Sequence, residues 1–230
     1  MTSGERLAEQ IAAAHGGIDR FRRCRSLSVR FSSGGLAFRS KGQPTTLAGV
    51  TGEFSVHQQS VRLAGRRPEP WEYRADSGTD LARDLDRLRW PSRLLRWDVA
   101  DIAVFAAMAM WTYLSVPFLV AEPGAQLELL RPQRGLRRLR VRFPPGIVTH
   151  CAIQVLHVDD DGLIRRHDYT ARAVGRWARA TQTLDEYRSF GGLQIATRRR
   201  VTPRLAGWSV PGPTLVWIDI DEVRPAVTVS

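Results

Sequence analysis

Apolar and polar positions alternate with two different periods along this chain, and the switches between them divide it into three stretches. Leu7, Ile11 and Ala14 recur at helical spacing. Thr2 with Glu5 three residues later forms a capping-box pattern, and Gly16-Gly17 stops the run, so the first element is a helix with one face for burial. After a turn over 18–23, Leu27, Val29 and Phe31 alternate with Ser28 and Arg30. Ser33-Gly34 then leads back through Leu36, Phe38 and Ser40, which predicts a strand pair. Further alternation over 53–57, 60–63 and 71–74, separated by Gly and Pro, extends this into a meander of short strands.

The middle stretch changes period. Leu81, Leu85 and Leu88 give 80–89 the spacing of an amphipathic helix, and a second helix is predicted over 98–115 after Trp90-Pro91. Its segment 102–111 carries no charge at all. That is short of the roughly 20 apolar residues a bilayer crossing needs, and Pro117 is expected to end the helix. The prediction is therefore a buried helix covered on nearly every side, as a concave sheet would cover it.

Strand periodicity returns over 126–130, 136–143, 148–158, 163–174, 182–188, 193–201 and 214–222. On the last of these, Val216, Ile218 and Ile220 fall on one face while Trp217, Asp219 and Asp221 fall on the other. No linker, low-complexity tract or repeat interrupts the pattern, so residues 1–230 are read as a single domain. At 230 residues such a domain buries about 70% of the surface of its unfolded chain.

Composition narrows the class. The net charge of +11 comes from 34 basic residues of which Lys41 is the only lysine. The densest arginine runs, over 134–142 and 198–200, are interleaved with or flanked by Leu139, Val141, Phe143 and Val201, as solvent-facing arginines on half-buried strands would be. No recognition-helix or aromatic RNA-binding pattern accompanies them, so nucleic acid is not the expected partner. Cys24 and Cys151 stand far apart and are read as reduced thiols. The N-terminus carries Glu5 where a secretory signal would be basic, and no long apolar region follows, which gives the expectation of a cytoplasmic protein.

The order of elements resembles that of the bacterial lipoprotein-localisation (LolA/LolB-like) superfamily. The residues that carry the likeness are the helix ending in Gly16-Gly17, the strand starting at Ser26-Leu27, the hairpin Asp161-Gly162-Leu163-Ile164-Arg165-Arg166, and Tyr187-Arg188-Ser189-Phe190-Gly191-Gly192-Leu193. The resemblance implies an α+β fold: a curved antiparallel β half-barrel wrapped around buried helices, with a cavity for an apolar guest. A violacein-pathway enzyme is similar in fold and works without a cofactor, which implies that such a cavity can host chemistry.

Candidate chemistry centres on the hairpin around Asp160-Asp161. A tight turn there sets Val158 opposite Leu163, Gln154 opposite His167 and Ala152 opposite Tyr169. One face then carries His150, Gln154, Arg165, His167 and Tyr169, and the other Ile153, Val155, His157, Arg166 and Asp168. A solvent-exposed face is the plain alternative to a cavity wall. No metal is expected, because in this register His150 lies about 13 Å along the strand from the partner of His167, too far for one ion. There is no Gly-x-Ser-x-Gly, phosphate loop or dinucleotide fingerprint, so no cofactor is expected.

What remains is acid–base work by His150, His167 or Tyr169. Trp111, Tyr113, Arg165 and Trp217 are the candidate ligand-binding residues, with plain core packing as the alternative for the aromatics; 7 tryptophans favour a flat or aromatic guest. Two functions from different classes follow. The first is a cofactor-independent enzyme condensing, cyclising or rearranging an apolar or aromatic small molecule. The alternative is a non-catalytic carrier for a lipid or other hydrophobic ligand, and a scaffold without a ligand is a third possibility.

Overall fold

The computed structural model describes residues 1–172, 174, 175, 177–205, 208, 209 and 213–227. In chain order the elements are α1 (Ser3–Ala14), α2 (Ile18–Arg23), β1 (Cys24–Gly34), α3 (Leu36–Ser40), β2 (Val50–Ser55), β3 (Val61–Gly65), β4 (Trp71–Ala75) and α4 (Gly78–Asp86). Two 3-10 turns, Arg87–Arg89 and Pro91–Leu94, lead into α5 (Val99–Leu119). Then come β5 (Gln126–Gln133), β6 (Leu136–Arg142), β7 (Ile153–Val158), β8 (Ile164–Thr170), β9 (Arg179–Phe190), β10 (Leu193–Leu205), β11 (Trp208–Ser209) and β12 (Val216–Val227).

Eleven strands follow one another in the order β4-β3-β2-β1-β12-β10-β9-β8-β7-β6-β5, every pair antiparallel, with β11 paired to β10 off this path. The edges β4 and β5 do not meet, so the sheet curves into a half-barrel without closing. The first strand is zipped to the last, from Cys24 opposite Val227 to Gly34 opposite Trp217. At one end the α1 terminus sits on the β9–β10 hairpin: Gln194 N–H donates to the His15 carbonyl, and a Cβ on Gly16 would stand 2.3 Å from the Gly192 oxygen. With φ at +112°, that position suits glycine on both counts.

The sheet wraps α5. Asp98 caps this helix in a capping box with Asp101, each side chain accepting from the other's backbone N–H at 2.9 Å. Arg93 lies 2.9 Å from both carboxylates and so pairs the charge of the buried Asp101. Every residue from Asp101 to Phe118 is buried. The 21-residue helix is long and apolar enough to span a membrane by length and composition, and here it is buried inside the fold.

The structure corrects the sequence reading in five places. Leu36–Ser40 is a helical turn, not a returning strand; β1 pairs with β2 and β12 instead. Residues 18–23 form the short helix α2. Pro117 lies inside α5, which runs two residues further, because in the last turn the missing donor costs one bond and not a ladder. Residues 148–152 form a loop ahead of β7. The β7–β8 register is shifted by two residues, Leu156 opposite His167 and Val155 opposite Asp168, with a bulge next to Val158. A two-residue shift keeps His167 and Tyr169 on one face and His157, Arg166 and Asp168 on the other, so the parity argument survives there; at the bulge Ile164 takes the inner face in place of Arg165.

Candidate functional site: a cavity between the central helix and the open end of the sheet

Along α5, Phe105, Ala106, Ala109, Met110 and Tyr113 share one stripe at helical spacing. This stripe does not meet the sheet directly. Between it and the concave side lies a cavity of about 660 Å³, whose walls include Phe31 of β1, Phe38 of α3, Trp97, Ala180 of β9, Val201 of β10 and Ile218 of β12. The rim carries exposed apolar side chains, Leu36, Leu94 and Trp177, together with Lys41, Arg179 and Arg204.

The inner wall is polar at one point. The hydroxyls of Tyr113 and Tyr169 lie 2.8 Å apart, and both side chains line the cavity. Behind them Nε2 of His150 lies 2.8 Å from the Tyr113 hydroxyl, and the His150 ring stacks on Tyr169 with centroids 4.3 Å apart. The loop over 144–152 carries His150 back onto the hairpin, so the strand-based separation of about 13 Å from His167's partner does not hold. His167 stands one step deeper. Its Nε2 bonds the Gln154 Oε1 at 2.5 Å, so Nε2 is the protonated nitrogen and Nδ1 the acceptor.

Burial sets the protonation of this group. Desolvation pushes His150 and His167 down to about 3, so both imidazoles are neutral at pH 7. Desolvation raises Tyr113 to about 12 and Tyr169 well above its ordinary range, so neither is a phenolate. Below them lies Arg199, 3% exposed and with no carboxylate within ion-pair distance among the described residues. Its guanidinium sits over the Tyr113 ring, donates to Gln182 Oε1 at 3.2 Å, and reaches the Tyr113 carbonyl at 3.4 Å. That carbonyl is the one Pro117 leaves without its helical donor, so the proline inside α5 and the buried arginine explain each other.

Of the residues singled out from sequence, His150, His167, Tyr169 and Tyr113 are brought together, and the two tyrosines reach the cavity. The other three stand elsewhere. Trp111 points to the opposite side of α5, its indole N–H donating to the carbonyls of Ser55 and Gln58. Arg165 sits at the β8 bulge, bonded to Asp159 and over the Tyr187 ring. Trp217 lies against Gly34 on the face opposite Val216 and Ile218, where strand parity had put it. Asp168 is on the other face of β8 from His167, held by His157 at 3.0 Å and by two bonds from Arg166. Burial works to raise its pKa, and these bonds outweigh that and hold the carboxyl below the ordinary range.

The sequence reading missed Lys41, Trp97, Phe105, Met110 and Arg179 as cavity residues. One signal was present: Lys41 is the single lysine among 34 basic residues.

No protein-family model matches the chain, and neither does any curated protein. Among solved structures it is similar to a LolA superfamily protein from Nitrosomonas europaea, with 13% identity over 96% of this chain and 94% of that one and a TM-score of 0.47. It is also similar to a DUF1329 family protein from Desulfovibrio piger, with 12% identity over 100% of this chain and 96% of that one and a TM-score of 0.44.

Proposed function

We propose that this protein binds an apolar small molecule in the cavity beside α5 and acts as its carrier. One observation carries the reading: about 660 Å³ of space bounded mainly by aliphatic and aromatic side chains. That falls within the roughly 300–1,000 Å³ of small-molecule sites. A core of this kind is ordinarily packed as tightly as an organic crystal, so a void of this size in a core wall is a feature to be filled by a guest. The test is a fluorescence titration with the neutral probe N-phenyl-1-naphthylamine. One site of about 1 µM or tighter, roughly −8 kcal/mol, is expected. Absence of saturable binding would sink the carrier reading.

A second reading, acid–base chemistry on the same guest by His150, His167 and Tyr169, is favoured by the Tyr113–Tyr169 hydroxyl pair on the cavity wall, backed by His150. It requires turnover. A small-molecule extract incubated with the protein should then yield a product whose formation falls about 10²-fold or more in Tyr169→Phe. An unchanged extract leaves the carrier reading alone.

A further inference from the structure

The described residues lining the cavity include three basic side chains, Lys41, Arg179 and Arg204, and no aspartate or glutamate. A one-signed lining around an apolar space is complementary to an amphiphile with a negative end. The three cations are not equally committed. Arg204 lies 3.5 Å from Asp168, a carboxylate already bonded twice by Arg166 and once by Thr181. Arg179 is exposed at the start of β9 and has no ion-pair or hydrogen-bond partner among the described residues. Lys41, half-buried at the end of α3, is unlike every other base in the chain in being a lysine.

The Lys41 ammonium donates to the carbonyls of Arg93 and Leu94 and stands 5.5 Å from the Trp97 ring centroid. Burial lowers the Lys41 pKa, while the backbone carbonyls and the indole face favour the charged form without neutralising it. An ammonium has three donors, so two bonds leave one for a guest. Leu94 and Trp97, which Lys41 touches, are themselves cavity walls, so the charge sits where the apolar lining meets the rim.

Resting on the carrier reading, we infer that the guest is a single-chain amphiphile with an anionic head. Its tail lies along the Phe105–Met110 side of α5 and its head is held at the rim by Lys41 and Arg179. A carboxylate and a phosphate monoester share this chemistry. Both accept several charge-assisted hydrogen bonds from separate donors.

The experiment displaces N-phenyl-1-naphthylamine with four ligands of one chain length: dodecanoate, dodecyl phosphate, dodecanol and dodecyltrimethylammonium. The expected order places at least one anion about tenfold or more ahead of the alcohol, as one good bond to a charged group provides, with the cation last. Whichever anion leads identifies the head. Lys41→Gln should erase about tenfold of that preference while dodecanol binds as before, Lys41→Arg should restore it, and Arg179→Gln should weaken the anion without touching dodecanol. Should Lys41→Gln weaken acid and alcohol alike, the lysine merely clamps residues 93 and 94, and the inference then stands or falls on Arg179→Gln. Equal displacement by acid and alcohol in the unmodified protein, or an anion preference intact in both variants, overturns the inference and leaves the carrier reading standing. Failure of the neutral probe and of every ligand to bind removes both.

Discussion

The central helix presents the same stripe to two different environments. On its N-terminal side, from Phe105 to Tyr113, Phe105, Ala106, Ala109, Met110 and Tyr113 look into about 660 Å³ of space. Toward its C-terminal end, Val116, with Val120 just beyond the helix, meets Leu7 and Ile11 of α1 and the inner faces of β6, β7 and β8, through Leu139, Val141, Leu156, Val158 and Ile164, with only about 20 Å³ left beside Val116. Both halves are equally apolar in sequence, so hydrophobicity does not decide which is filled. What differs is the cover: α1 plugs one end of the half-barrel, while the other end is roofed by the small helix α3 and the turns ahead of α5. The boundary between the halves is polar, and it consists of Tyr113, His150, His167, Gln182 and Arg199. A cavity that ends on a hydrogen-bonded polar floor keeps its size, because collapse of the sheet onto α5 would break those bonds.

The largest expected effect concerns that boundary. His150 and His167 are held down to about 3 and His15, beside the small void, to about 4, in each case first by desolvation. The unfolded chain therefore binds protons that the folded chain refuses. Stability is complete above about pH 6.5 and falls as pH drops from there toward 4, by up to about 1.4 kcal/mol per pH unit for each histidine. Urea unfolding at pH 7.5 and pH 5 should differ by several kcal/mol. A flat profile would show that these imidazoles are not buried neutral, and the boundary would dissolve.

Next is Arg199, which bears a desolvated charge with no carboxylate partner among the described residues. Arg199→Met should stabilise the fold by about 1–4 kcal/mol, as replacing buried charges with apolar side chains of similar volume does elsewhere. Chemical denaturation checks it. Destabilisation would mean that the bonds Arg199 gives Gln182 and the Tyr113 carbonyl outweigh the cost of burying its charge.

The same substitution placed in the two halves sharpens the contrast. Ala196→Leu, in the filled cluster with no exposed surface, should cost about 1–3 kcal/mol by overpacking. Ala109→Leu, on the cavity wall, should cost less than about 0.5 kcal/mol, because open space receives the added methyls. Equal costs in paired thermal melts would erase the distinction.

Much of this was legible in the sequence, and the reasons differ by residue. The capping boxes and the alternation of Val216, Ile218 and Ile220 report local periodicity, which secondary structure obeys. Parity likewise put His167 and Tyr169 on one face and Asp168 on the other even though the register was off by two. The helical turn at Leu36–Ser40 was missed because three apolar or polar alternations fit a strand as well as a short helix, and the contacts that decide are distant. The cavity itself was invisible. Phe105, Ala109 and Met110 are ordinary core residues by composition, and their function as a wall comes from where α3 and the chain ahead of α5 lie, which no local pattern states. Trp111 lies away from the cavity for the same reason, since its side of α5 is set by the whole sheet.

The most direct measurement of the central claim is a calorimetric titration of dodecanol into the unmodified protein and into the double variant Ala106→Phe/Ala109→Phe, which fills the cavity from the helix side. The unmodified protein should bind at a single site with a negative heat-capacity change, the mark of apolar burial. The double variant should keep its unfolding midpoint and give no heat of binding. Undiminished binding by the filled variant, or none by the unmodified protein, would contradict the account.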